Sequence, residues 1–382
     1  MVAHTTSEKL KGSDEPILDH SLISLHKHTY KPNGSPYHKN LDKIRIPINF
    51  QDLIQDIAES FIYIEGKFTP TDPTTKFVIH QIMHCYEMEG EQVDVIRNPG
   101  ITTTMKTMKS YGQTHMTSLQ TTRWGLKQAS QDVLDYHSHI FSGKLLLKYL
   151  MGFAEDYTEG ILNVKQELIL IIAHTFKNSY IEEVNADLEM SRIEWKIKHI
   201  IPEDRQKLKL LNRINRNNTA KVKLAHRIWD LYELSSLRDT VSYIWAMKTT
   251  NSLERSRYII IGFQHTYDLN DRSNDVTKFN HADVYNIRLY LNSEVYLYGR
   301  WNLDCDKKLH SPAYYAYEQF QRNYYNKDMS EPMMTIEEFR DNPLFIIDCC
   351  HQPDAMKTST VDIKVKFETR KTKFPENTRV YA

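Results

Sequence analysis

Residues 359–370, STVDIKVKFETR, constrain this chain more than any other stretch. Val361, Ile363, Val365 and Phe367 fall on one side of an extended backbone, and Asp362, Lys364, Lys366 and Glu368 on the other. A period of two marks a β-strand with one buried face and one wet face. Burying the four apolar side chains is worth on the order of 6–12 kcal/mol, comparable to the net stability of a whole domain. A second apolar surface must therefore cover them. Closely after it, from Asn377 to Ala382, NTRVYA opens what reads as another strand, from Thr378.

The same alternation recurs along the chain. It predicts strands at 43–50 (KIRIPINF), 60–69 (SFIYIEGKFT), 161–172, 220–234, 240–249, 257–264, 284–298 and 344–350. Residues 79–98 read as a hairpin turning at Glu89 and Gly90. In 187–200 the apolar phase slips between Met190 and Ile193, which predicts a bulge. Helices are expected at 98–111, 144–157, 202–216, 311–326 and 335–342, and 112–143 reads as a long connection. Amphipathic strands joined by long, partly helical connections do not suit a parallel sheet, whose strands are apolar on both faces. The fold class expected is mainly β: two antiparallel sandwiches in series with short inserted helices. The boundaries are a polar extension over 1–40, a first sandwich over 41–201, a connecting helix in 202–220 and a second sandwich over 221–382.

Lys+Arg and Asp+Glu both number 49, so the formal charge is zero, which argues against a polybasic nucleic-acid arm or a membrane-surface protein. The opening MVAHTTSEKLKG lacks the apolar centre of a secretory signal, and the most apolar run, 167–176, is too short to span a bilayer. An intracellular protein with reduced thiols at Cys85, Cys305, Cys349 and Cys350 is expected, with the sequons at Asn33 and Asn217 unused.

Motifs that carry chemistry are weak. His80, His84 and Cys85 lie in a strand pattern, and Gln81 stands where a zinc protease needs its glutamate. CCHQ at 349–352 has no second ligand pair at zinc-ribbon spacing, so the cysteines read as small buried hydrophobes. His26 with His28, and His137 with His139, are placed in solvent-exposed loops. NLDCDKK at 302–308 lacks the glycine and terminal glutamate of a calcium loop, and RNPG at 97–100 lacks the Lys-Ser/Thr of a phosphate loop. No catalytic, cofactor-binding or metal-binding set emerges. The exception to this blandness is the aromatic run 314–325. Tyr314, Tyr317, Phe320 and Tyr324 make one helical face, whereas Tyr315 and Tyr325 lie off it. Such a surplus serves either core packing or a protein–protein contact.

SFIYIEGKF, VDVIRNPGITTTMK, LMGFAEDYTEGILNVKQELILI, KLKLLNRI, YIIIGFQ, VYNIRLYLNSEVYLY, PLFIIDCC and TVDIKVKFET, in that order, span about residues 42–381. In these segments the chain resembles the double jelly-roll major capsid proteins of Polinton (Maverick) elements and related viruses. The resemblance implies two eight-stranded jelly rolls side by side and a homotrimer, pseudo-hexameric in outline, that meets neighbouring capsid subunits and a minor capsid protein in a virion. It implies no enzyme and no cofactor. The family continues past NTRVYA with another apolar strand, so the strand from Thr378 is expected to be cut short, leaving its neighbour's backbone groups unpaired. Residues 112–143 and GRWNLDC also depart from the family text. These departures point to an endogenised, degenerate copy of a capsid subunit. The alternative is a host-retained jelly-roll binding module, lectin-like or protein-interacting.

Overall fold

A computed structural model of the chain describes residues 22–34, 43–49, 53–70, 76–77, 82–88, 91–120, 140–172, 180–181, 186–216, 225–238, 240–250, 256–265, 278–292, 294–296, 299–351 and 360–382. Its strands are β1 (Leu22–Tyr30), β2 (Lys43–Ile48), β3 (Ile54–Pro70), β4 (Lys76–Phe77), β5 (Ile82–Met88), β6 (Glu91–Ile96), β7 (Ile140–Leu146), β8 (Ile161–Leu162), β9 (Gln166–Ile172), β10 (Tyr180–Ile181) and β11 (Ala186–Pro202). After α5 (Asp204–Arg216) come β12 (Glu233–Leu234), β13 (Ser242–Thr250), β14 (Tyr258–His265), β15 (Val284–Leu291), β16 (Glu294–Tyr296), β17 (Phe345–Asp348), β18 (Val361–Thr369) and β19 (Thr378–Tyr381). The other helices are α1 (Pro99–Ser110), α2 (Met116–Gln120), α3 (Leu147–Leu150), α4 (Gly152–Asp156), α6 (Ser311–Tyr325) and α7 (Ile336–Asp341).

All strand pairings among the described residues are antiparallel. In the first half, the sheet β1-β11-β3-β7, with β8 also on β3, faces the sheet β2-β9-β5-β6. Ile62, Ile64, Ile193, Trp195 and Ile197 of one sheet and Ile44, Ile46, Leu168 and Leu170 of the other form a single core. Pro47 is tolerated because β2 is an edge strand, where a missing N–H costs no ladder bond. The bulge expected in 187–200 is present: the β11–β3 register shifts between Met190 and Arg192.

In the second half β12-β19-β14-β17 faces β13-β18-β15-β16. Val365 and Phe367, each 0% exposed, lie in one core with Phe263 and Val380 of the opposite sheet, and the Phe263 and Phe367 rings meet edge to face at 5.3 Å. That opposing sheet is the cover the alternating strand requires.

Five expectations are corrected. Within the polar extension expected over 1–40, where no strand is expected, residues 22–30 form strand β1, paired along β11. His26 and His28 therefore stand on a strand rather than in a loop. Residues 225–232 form no strand, although the 220–234 pattern alternates; the strand is confined to Glu233 and Leu234, and Tyr232 before it exchanges backbone bonds with Ala382. Residues 144–157 are not one helix: the end of β7 and two short helices divide them. Within 112–143 lie α2 and the start of β7. Finally, β19 does not leave an open ladder, because it sits between β14 and β12 and pairs with both. The turn at Glu89 and Gly90, together with His80, His137, His139 and Asn217, falls outside the described residues.

Candidate functional site

Helix α1 is the unusual element. It follows a left-handed Asn98 and a Pro at its start, and nearly all of its residues are buried, including Thr102, Thr104, Lys106, Thr107 and Lys109. An all-round buried helix is normally apolar. Ile101, Met105 and Met108 enter the core of the second half, although α1 follows a hairpin of the first. Its lysines must then find partners inside the protein. RNPG is thus the buried entry to this helix, with Pro99 and Gly100 both enclosed.

The partners come from α3, α4 and the 225–232 segment. Lys106 Nζ lies 2.9 Å from Glu155 Oε2 and donates to the Lys148 carbonyl at 2.8 Å. Burial lowers its pKa, and Glu155 opposes that shift. Lys109 Nζ has no hydrogen-bond partner; it sits 3.5 Å from the Trp229 ring centroid and 4.6 Å from that of Phe320. Burial, reinforced by the charge of Lys106, holds Lys109 well below the ordinary lysine range. Burial also raises the carboxyl pKa of Asp94, which accepts the Phe153 N–H at 2.9 Å.

Arg227 ties this knot to the aromatic helix. Its Nε donates to both Asp156 oxygens at 3.0 and 2.9 Å, and a terminal nitrogen donates to the Tyr324 carbonyl at 3.0 Å. Its guanidinium stacks 3.9 Å from the Tyr324 ring centroid. Burial works against the Asp156 carboxylate, yet the Arg227 bonds prevail and keep its pKa below the usual value. The strap passes so close to α4 that a Cβ on Gly152 would lie 1.7 Å from the Arg227 carbonyl oxygen.

The aromatic residues of α6 divide accordingly. Tyr317 and Phe320 are core, and the Tyr317 hydroxyl donates to the Met108 carbonyl at 2.6 Å. Tyr314 donates to the Met334 carbonyl, and Tyr325 to Glu155 at 2.7 Å. Tyr324 lies between Arg227 and Phe320, stacked on the latter at 4.7 Å. Tyr315, 62% exposed, faces solvent.

Among the described residues, one group could share an ion by proximity: His281, Asp283 and Asp306. Lys371 already occupies it, with Nζ 2.7 Å from Asp283 and 3.8 Å from Asp306, so its negative charge is met from within the chain. Arg370 and Lys307 do the same for Asp304 in the 302–308 turn. Cys305, Cys349 and Cys350 are free thiols, and burial pushes Cys305 up to about 11, away from reactivity.

The description "double jelly roll-like domain" matches residues 74–382. The chain belongs to that family. Solved structures agree on the fold of this double jelly-roll chain. The Sputnik virophage structure by cryo-EM superposes with a TM-score of 0.59 at 7% identity, covering 100% of this chain and 89% of that one. The Faustovirus major capsid protein gives 0.56 at 9% identity, covering 97% and 90%. PBCV-1 VP54, fitted into a reconstruction of Sputnik, gives 0.55 at 9% identity, covering 96% and 95%. No curated protein matches the chain in sequence. Among the described residues, no helix is long and apolar enough to cross a membrane.

Sequence reasoning missed the junction of this double jelly roll. Arg227 and Asp156 are 71 residues apart, and no periodicity links them. Two lysines, Lys106 and Lys109, inside a helix whose middle is otherwise Thr, Met and Ile were the available signal.

Proposed function

We propose that the chain is a structural capsid subunit, three copies of which form a pseudo-hexameric trimer that tiles a virion shell beside a minor capsid protein. In this reading 41–201 and 221–382 each supply one jelly roll, 202–220 connects them, and β1 completes the first. The observation that carries it is the junction: α1 in the second core, with Lys106–Glu155 and Arg227–Asp156 across the interior, fixes two sandwiches as one building block. Rigid paired sandwiches let three chains present six similar faces, which closed symmetric assembly needs. A Polinton-type origin and an endogenised state belong to the same proposal, supported by the segments quoted from the sequence. The exposed side of α6, with Tyr315 foremost, supplies part of the contact between subunits; tyrosine is enriched in such interfaces.

Light scattering coupled to size-exclusion chromatography tests this. A mass three times the 45.1 kDa of one chain, with pseudo-hexagonal particles in negative stain, is expected. A stable monomer that binds a sugar would end the capsid reading. Tyr315→Glu should shift the trimer toward monomer without changing the melting temperature of the subunit.

A further inference from the structure

The apolar core of the first sandwich stops short of one corner. Where β11 runs beside edge strand β1, its inner face carries Trp195, Ile197 and then His199, which is 0% exposed. His26 of β1 stands opposite His199, and His28 and Tyr30 follow on the same side of that strand. On the other flank of His199 lies Gln55 of β3, which accepts a hydrogen bond from Gln166 of β9 across the sandwich.

Strand β1 is the cover of this ring. The His28 imidazole stacks on His199 with centroids 4.2 Å apart, the Tyr30 ring lies 6.0 Å away, and the Tyr30 hydroxyl is 3.0 Å from His199 Nε2. Nδ1 has no hydrogen-bond partner. A proton added here is badly housed whichever nitrogen carries the hydrogen of the neutral ring. The cation has two N–H donors, and among the described residues the Tyr30 hydroxyl is placed to accept one of them. No acid faces the ring to offset the charge. β1 presents His26, His28 and Tyr30, β3 presents Gln55, β9 presents Gln166, and β2 presents isoleucines. Asp56 and Glu167, beside those glutamines in sequence, pair instead with Lys198 and Arg45.

We propose that His199 makes β1 an acid-released strand: when β1 lifts, the uncovered imidazole takes a proton, and the charged ring resists being covered again. With β1 in place, burial first and the charge of His28 second lower the His199 pKa from 6.5 to about 4. With β1 lifted, water reaches the ring and the ordinary value returns. Above pH 6.5 both states are neutral, and acidity has no hold on the strand. Between 6.5 and about 4 the lifted state binds one more proton, so its population grows by up to about tenfold for each pH unit of acidification. The device acts where opening is easiest, because β1 is held on one side only. Its release bares the β11 edge, a row of unpaired N–H and C=O groups open to another strand.

Amide hydrogen exchange on the full chain tests this, read by mass spectrometry from about pH 7.5 to about 4.5 and corrected for the intrinsic pH dependence of exchange. Peptides from β1 should lose protection by up to about tenfold per pH unit below about 6.5, while peptides from β18 keep theirs. His199→Gln, which cannot charge in this range, should flatten the β1 response. A direct titration of the parent covers the case of a variant that fails to fold: in the chain labelled with carbon-13 histidine, one imidazole should titrate near pH 4. PH-independent protection of β1, an equal loss in β18, or an unaltered β1 response in folded His199→Gln would each overturn the proposal. So would a parent chain in which every imidazole titrates above about pH 6.

Discussion

Replacing Arg227 with methionine removes a charge while keeping an apolar stem of similar reach, and it isolates what joins the two sandwiches. Three interactions disappear together. The paired bonds to Asp156 are charge-assisted, of a kind worth about 1.5–3 kcal/mol each in net terms. The contact over Tyr324 adds about 0.5–2 kcal/mol. The Tyr324 carbonyl also loses its donor. Breaking a fully buried pair costs about 3–5 kcal/mol. The two side chains here retain 23% and 15% exposure, and the Arg227 backbone N–H still binds Asp156, so a loss of about 2–4 kcal/mol is expected after allowing for solvent screening. Denaturant unfolding followed by tryptophan fluorescence reads the loss. Arg227→Lys should not restore it, because an ammonium cannot make the forked contact. A cycle with Asp156→Asn should show coupling of about 1–3 kcal/mol. The pair also has a pH signature. The folded-state pKa of Asp156 is depressed, so its contribution is complete above the unfolded carboxyl value of 3.8 and fades as pH falls through the folded value. A loss below about 0.5 kcal/mol, or strictly additive single effects, would refute the view that this contact locks the halves.

Other perturbations reach different parts of the fold. Val365→Asp should cost about 4 kcal/mol or more by placing an unpaired charge between the second pair of sheets, and an unchanged melting temperature would mean the inward face of β18 is wrongly assigned. Lys109→Met should be neutral or stabilise by about 1–3 kcal/mol, since it removes a buried amine that has no hydrogen bond. Because the folded pKa of Lys109 is depressed, the parent should gain stability as pH rises from that value toward 10.5, and the variant should lack that gain on a pH series of melts. Gly152→Ala should cost about 1–3 kcal/mol through collision with the Arg227 carbonyl, and wild-type stability in that variant would show that the strap can move aside.

Where one face of a strand meets a core and the other meets water, the sequence speaks clearly, as it does for β18 and for the bulge in β11. It is silent on β1 for a physical reason: the inner face of that strand carries His26 opposite His199 and His28 opposite Ile197, so the usual apolar alternation is missing. The opposite error arises at 225–232, where Trp229, Leu231 and Tyr232 imitate a strand. They are partly buried against the second core, with Trp229 beside Tyr324 of α6, and the Tyr232 backbone pairs with Ala382. The aromatic count of α6 was visible, but how each ring is used depends on α1 and Arg227, which are distant in sequence. Pairing of β19 on both sides was equally hidden, since register is a property of partners and not of the strand itself.

The seating of α1 has a bearing on how such a protein can be divided. A gene cut at the helix after the first sandwich would look reasonable by sequence, yet the upstream product would carry Ile101, Met105 and Met108 with nothing to cover them, while the downstream product would have a trench where that helix belonged. Each fragment would be sticky alone, and the two should recombine when mixed. Inheritance, swapping or shuffling of single sandwiches in such proteins would therefore have to carry α1 along with the half it fills rather than the half that encodes it.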